Sequence, residues 1–136
     1  MPTIFVAYGG PEGREEVLAF AAERAAASGD DLYVYHAGES VDEEGDSLRR
    51  EIDGVVERTA PGIDYEVAIE PRQAESDATN VSTQKRLVDA IFDDDREFAY
   101  VVMGNVKHGA IESLTIPSMT EAVLDTHNIP VVLVPV

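Results

Sequence analysis

Tyr100-Val101-Val102-Met103-Gly104, then a polar loop, a helical stretch from about Ser118, and finally Asn128-Ile129-Pro130-Val131-Val132-Leu133-Val134: this part of the 136-residue sequence decides the fold. Two short valine-rich runs, apolar on both faces, flank a segment with helical character. The block therefore reads strand, loop, helix, strand, as in a parallel sheet covered on both sides. Its first strand ends on Gly104, where such a sheet places a turn that can meet a phosphate at the N-terminus of the following helix.

The same alternation continues back to the N-terminus. Ile4 to Tyr8 reads as the first strand, Gly9-Gly10-Pro11 as a turn, and a helix runs from about Glu12 to Ser28 before Gly29 stops it. Leu32 to His36 is the second strand. After the acidic loop Gly38 to Asp46, Leu48, Ile52, Val55 and Val56 recur at i, i+4, i+7 and i+8, one apolar helical face that ends before Pro61. Tyr65 to Ile69 is the third strand. The polar segment Glu70 to Asn80 leads to a helix with Leu87, Val88, Ile91 and Phe92 on one side; Ala99 to Met103 and Val131 to Val134 are the last two strands. Five strands alternating with four helices predict a doubly wound α/β domain with right-handed crossovers. No repeat, low-complexity tract or linker divides residues 1–136, so one domain is expected.

In spacing and wording the C-terminal block resembles the universal stress protein family, and the likeness extends over nearly the whole chain. That family's signature is glycine, two residues, glycine, nine residues, glycine, then serine or threonine, a loop that cradles the phosphates of ATP in members that bind it. Here the four positions fall on Gly104, Lys107, Pro117 and Ser118, so two of the three glycines are replaced. The family usually ends its first strand on an aspartate that helps hold the nucleoside; Gly9 stands there. The resemblance implies a Rossmann-like sheet of order 3-2-1-4-5, with Gly9, Gly10 and Gly104 facing one crevice at its switch point. It also implies a homodimer paired through Val131 to Val134.

Two readings of function follow. In the leading one, the chain is a universal-stress-protein-like homodimeric regulatory, stress-response or protein-interaction module that binds no cofactor tightly. In the alternative it retains ATP or AMP with Mg2+, as a slow ATPase or none, through Gly104, Asn105, Lys107, His108 and Ser118 together with Gly9 and Gly10. Pro117 lacks the backbone N–H that a phosphate loop needs, and Lys107 adds a bulky side chain, although its ammonium can meet a phosphate as a point charge. Ser118-Met119-Thr120-Glu121 is equally a capping box, which accounts for the serine without a ligand.

Charge narrows the partners. With 27 acidic against 10 basic residues the formal net charge is −17, so nucleic acids and anionic membranes, which are bound through Lys and Arg, are poor candidates. Such acidity also fits concentrated salt, where the Debye length is about 3 Å at 1 M and self-repulsion is screened. Zero cysteines exclude disulfides and thiolate chemistry. The N-terminus reads as no signal segment, and no apolar run approaches the roughly 20 residues of a membrane span, so a cytoplasmic protein is expected.

Chemistry beyond binding has little support in the residues. His36, His108 and His127 show no ligand spacing, so no metal is expected, and without a G-x-S-x-G elbow no serine nucleophile is indicated. His36 and His127 read as structural. Lys107 and His108 are a candidate cationic patch, and Arg72 a candidate counterweight to the acidic loop. The final strand is free of charge, yet its place in the chain puts it at a sheet edge, where a partner would cover it.

Overall fold

The computed structural model describes residues 3–9, 13–37, 45–70, 87–92, 97–105 and 129–135. Among these, five strands form one parallel sheet: β1 (Thr3–Ala7), β2 (Asp31–Ala37), β3 (Tyr65–Glu70), β4 (Phe98–Asn105) and β5 (Val131–Pro135), in the order β3-β2-β1-β4-β5. The expected order is thereby found. The chain moves outward from β1 to β2 and β3, then returns past β1 to β4 and β5. The topological switch point, where such sheets bind ligands, therefore lies between the C-terminal ends of β1 and β4.

The inner strands β1, β2 and β4 are largely apolar on both faces because both faces are covered. Ile4, Val6, Leu32 and Val34 meet helices α1 (Arg14–Ser28) and α2 (Gly45–Thr59), through Val17, Leu18, Ala21 and Ala22 of the first and Ile52, Val55 and Val56 of the second. On the opposite face Phe5, Tyr35, Val101 and Met103 pack with Leu87 and Ile91 of helix α3, described over 87–92. Phe98 meets Phe5 edge-on, with ring centroids 5.1 Å apart. The predicted stripe Leu48, Ile52, Val55 and Val56 is buried as expected. Phe92 is not part of its stripe: it is 41% exposed while Leu87 and Ile91 are buried. It lies 100° around the helix from Ile91, at the margin of the covered face.

The ends of elements also differ from the sequence reading. α1 begins at Arg14, after Gly13 in the left-handed region at φ 76°. It stops as expected at Gly29, whose φ is 75° and whose N–H donates to Ala25 O at 2.8 Å, the turn that a glycine makes without steric cost. α2 takes in Gly45 and Asp46, which the sequence places in the acidic loop. Asp46 sits in the first helical turn, where the dipole favours an anion. β4 runs two residues past Met103, because Gly104 and Asn105 still pair with Val134 and Pro135. The fourth predicted helix, from about Ser118, lies outside the described residues.

α2 is tied to β3 by the Tyr65 hydroxyl, which donates to Asp53 Oδ1 at 2.7 Å. Partial burial and the neighbouring carboxylates of Asp53 and Glu57 push this phenol from its ordinary 10.0 to about 12. The folded state favours the neutral form, so this contribution is complete below pH 10.0 and is lost as the pH rises toward about 12. Urea titrations between those pH values are expected to lose less stability in Tyr65→Phe than in the natural sequence. Equal slopes would show that Tyr65 ionises freely.

Candidate functional site

β1 and β4 lie parallel with Val6 beside Val102, and continuing that register two residues brings Tyr8 level with Gly104. Gly9 follows at the switch point and is exposed. Among the described residues a Cβ built on it meets nothing within 4 Å, and its backbone lies outside the left-handed region. A short side chain therefore meets no described residue at this position. Gly104, expected to end its strand, is a half-buried residue of β4, and Asn105 closes the strand one residue later beside Pro135. Gly9 and Gly104 are thus brought to one end of adjacent strands. Gly10, Lys107, His108 and Ser118 lie outside the described residues, as do Arg72, Pro117 and His127.

Immediately behind Gly9 stands a polar cluster that the sequence reading did not assemble. Tyr8 is only 2% exposed, and its ring continues the inward line of Ile4 and Val6 toward α1 and α2. Its hydroxyl donates to Glu51 Oε2 of α2. Arg14, the first residue of α1, grips the same carboxylate with two bonds, Nε to Oε2 at 2.8 Å and an outer nitrogen to Oε1 at 3.1 Å. Its guanidinium also lies 5.1 Å from the centre of the Tyr8 ring. The Tyr8 main chain is held too: its N–H donates to Tyr35 O at 2.8 Å, and the buried His36 places Nδ1 2.7 Å from Tyr8 O. A carbonyl can only accept, so that ring nitrogen carries its proton.

The charges of this cluster are set by its contacts. Burial, the hydrogen bond to Glu51 and that carboxylate's charge push the Tyr8 phenol well above its ordinary range. Burial opposes the charge of Arg14, but Glu51 outweighs it and raises the guanidinium's pKa further. Burial likewise opposes ionisation of Glu51, yet the bonds from Arg14 and Tyr8 prevail and hold it below 4.5. A neutral phenol, a cation and an anion are thus locked together near neutral pH. Their contacts anchor the end of β1 to both helices just before Gly9.

Two signals in the sequence point to this cluster. Glu51 falls at i+3 in the stripe Leu48, Ile52, Val55, so a carboxylate is turned toward the core and needs a cation. Arg14 stands in the first turn of a helix, where the dipole disfavours a cation unless an anion holds it. Among the described residues no group of three or more His, Cys, Asp or Glu side chains is placed to hold a metal ion. Nor is any described helix long and apolar enough to cross a membrane.

The model of the universal stress protein family matches residues 1–135. No curated protein matches the chain. Among solved structures it is similar to a universal stress protein from Archaeoglobus fulgidus, with 24% identity, a TM-score of 0.62, and coverage of 98% of this chain and 97% of that one. A universal stress protein in complex with cAMP is similar at 20% identity and TM-score 0.68, covering 98% and 95%. One from Archaeoglobus fulgidus in complex with dAMP gives 22% and 0.58, covering 98% and 96%. At these identities the likeness is one of fold.

Proposed function

Because this chain belongs to the universal stress protein family, we propose that it serves as a homodimeric regulatory or stress-response module whose nucleotide site no longer holds ATP tightly. The observation that carries this reading is the replacement of two glycines of the family's phosphate loop by Lys107 and Pro117. Proline contributes no N–H to an anion, and the lysine side chain crowds the space that a bare backbone leaves. Gly9 adds to the loss, since it has no carboxylate with which to hold a nucleoside. The acidic surface suits work in concentrated salt, and the cytoplasm is the compartment we assign. Residues 1–136 are read as one domain, to which we assign no reaction, metal or nucleic acid.

A second reading has specific support: two relatives of the same fold are seen with cAMP and with dAMP. Among the described residues nothing lies within 4 Å of a Cβ built on Gly9, and Gly104, Asn105, Lys107, His108 and Ser118 with Gly10 would line the phosphate side. A monophosphate asks less of the loop than a triphosphate, because fewer amide bonds are needed to offset its desolvation. Calorimetric titration in molar KCl separates the readings. No saturable heat from Mg-ATP is expected, and tight binding would overturn the leading one; saturable binding of AMP alone would establish the second.

The dimer is supported by the open edge of β5. Val131, Val132 and Val134 are half-buried and Leu133 is 36% exposed, and among the described residues β5 pairs on one side only, with β4. A charge-free edge of this kind invites a second strand, with Pro130 and Pro135 limiting backbone pairing at its two ends. Light scattering on the eluted protein in molar KCl is expected to give twice the chain mass of 14.7 kDa, and Leu133→Arg is expected to halve it. A monomer at micromolar concentration would remove the homodimer.

A further inference from the structure

The two edges of the sheet are finished in opposite ways. β3 exposes Glu66 and Glu70 on either side of Ala68, and the hydroxyl of Tyr35 on β2 donates to Glu70 Oε2 at 2.7 Å, drawing that carboxylate toward the neighbouring strand. β5 exposes valine, leucine and proline, and no charge occurs from Asn128 to Val136. Carboxylates on an edge strand oppose further pairing. Joining β3 to β3 would set carboxylate against carboxylate, and joining β3 to β5 would lay charges against an apolar strip. Among the described residues only β5 against β5 brings no charge into the contact. A basic partner drawn by the net charge of −17 would find no counter-charge along this strip, so its fitting occupant is a second copy of the chain.

Each copy nevertheless brings that same charge to the encounter. The repulsion reaches about 30 Å at 0.01 M salt and about 3 Å at 1 M. We propose that ionic strength switches the β5 pairing: the protein is a closed dimer in molar salt and separates into folded monomers in dilute buffer, while the glutamates of β3 stop the high-salt state at two copies. The proposal rests on the homodimer reading and adds its regulation. A strand pair across a two-fold axis closes on itself, whereas an unguarded second edge would extend it into a filament.

Sedimentation of micromolar protein in KCl from 2 M downward, with circular dichroism to mark where the fold persists, tests this. The dimer dissociation constant is expected to rise by about 100-fold between 2 M and 0.05 M, or the lowest concentration that keeps the fold. Monomer at every salt concentration would overturn the homodimer itself. Tight dimer throughout would leave the homodimer standing and overturn the switch. Salting-out of apolar surface also strengthens association, so a charge variant decides the cause. Asp46→Lys, Glu57→Lys and Asp64→Lys, exposed residues on α2 and the turn before β3, are together expected to keep the dimer to lower KCl. An unmoved midpoint would overturn the electrostatic switch. Glu66→Val is expected to give species larger than dimers in 2 M KCl, and an unchanged dimer would overturn the guarding role of β3.

Discussion

Replacing Lys107 and Pro117 together with glycine is expected to raise affinity for Mg-ATP tenfold to hundredfold over the natural sequence. Glycine at 117 restores one backbone N–H, and glycine at 107 clears the approach to its neighbours. One hydrogen bond to a charged group contributes about 1.5–3 kcal/mol, and about 1.4 kcal/mol is a factor of ten in binding. Adding Gly9→Asp is expected to strengthen binding again, through the nucleoside, since a Cβ there meets no described residue within 4 Å and the backbone is unstrained. Calorimetry in molar KCl checks each step. If the double variant binds no better than the natural protein, the loop substitutions are not what weakens the site. If the natural protein already binds tightly, the main chain grips the phosphates despite both replacements, and the proposed loss is wrong.

Arg14→Ala is expected to cost about 2–3 kcal/mol of stability in urea unfolding. Removing one member of a buried ion pair strands the other, a loss of about 3–5 kcal/mol when burial is complete. Here the pair keeps some contact with water, with side chains 14% and 30% exposed, which lowers the expected figure. The Tyr8 hydroxyl still donates to Glu51 in the variant, so a mutant cycle of Arg14→Ala with Tyr8→Phe is expected to be non-additive. A change below about 0.5 kcal/mol would mean that the ion pair does no more than an exposed one.

Acid gives a second measure of the same contact. Glu51 titrates below 4.5 in the folded protein, so its contribution is present above that pH and is lost as the pH falls toward the folded-state value. In Arg14→Ala this loss is expected to flatten. An unchanged acid limb would place the sensitivity elsewhere among the carboxylates.

The fold was largely open to reading because its signals are local. Gly29 ends α1 by a backbone property that any glycine brings. Leu48, Ile52, Val55 and Val56 mark one face of α2 wherever that helix is placed. The site was open only in part. Gly9 and Gly104 could be located at strand ends, but that β4 runs on through Gly104 and Asn105 depends on how far β5 extends beside it. Phe92 was misplaced because helical spacing gives an angle around the axis, while the width of the covered strip is set by what packs against it.

Composition and periodicity by themselves determined the α/β class, the excess of acidic residues and the charge-free last strand, because each is a property of residue type or near-neighbour spacing; that Lys107 and Pro117 replace loop glycines is implied by the family resemblance. Only the tertiary structure decided that Tyr8 meets Glu51, 43 residues away, that Arg14 bridges to that carboxylate, and that His36 holds the Tyr8 carbonyl. It alone also set Glu-bearing β3 and bare β5 at opposite edges of one sheet, since the strand order was implied by family resemblance and not by the residues. Periodicity tells a side chain which way to face; its partner is chosen when strands and helices distant in sequence are brought side by side.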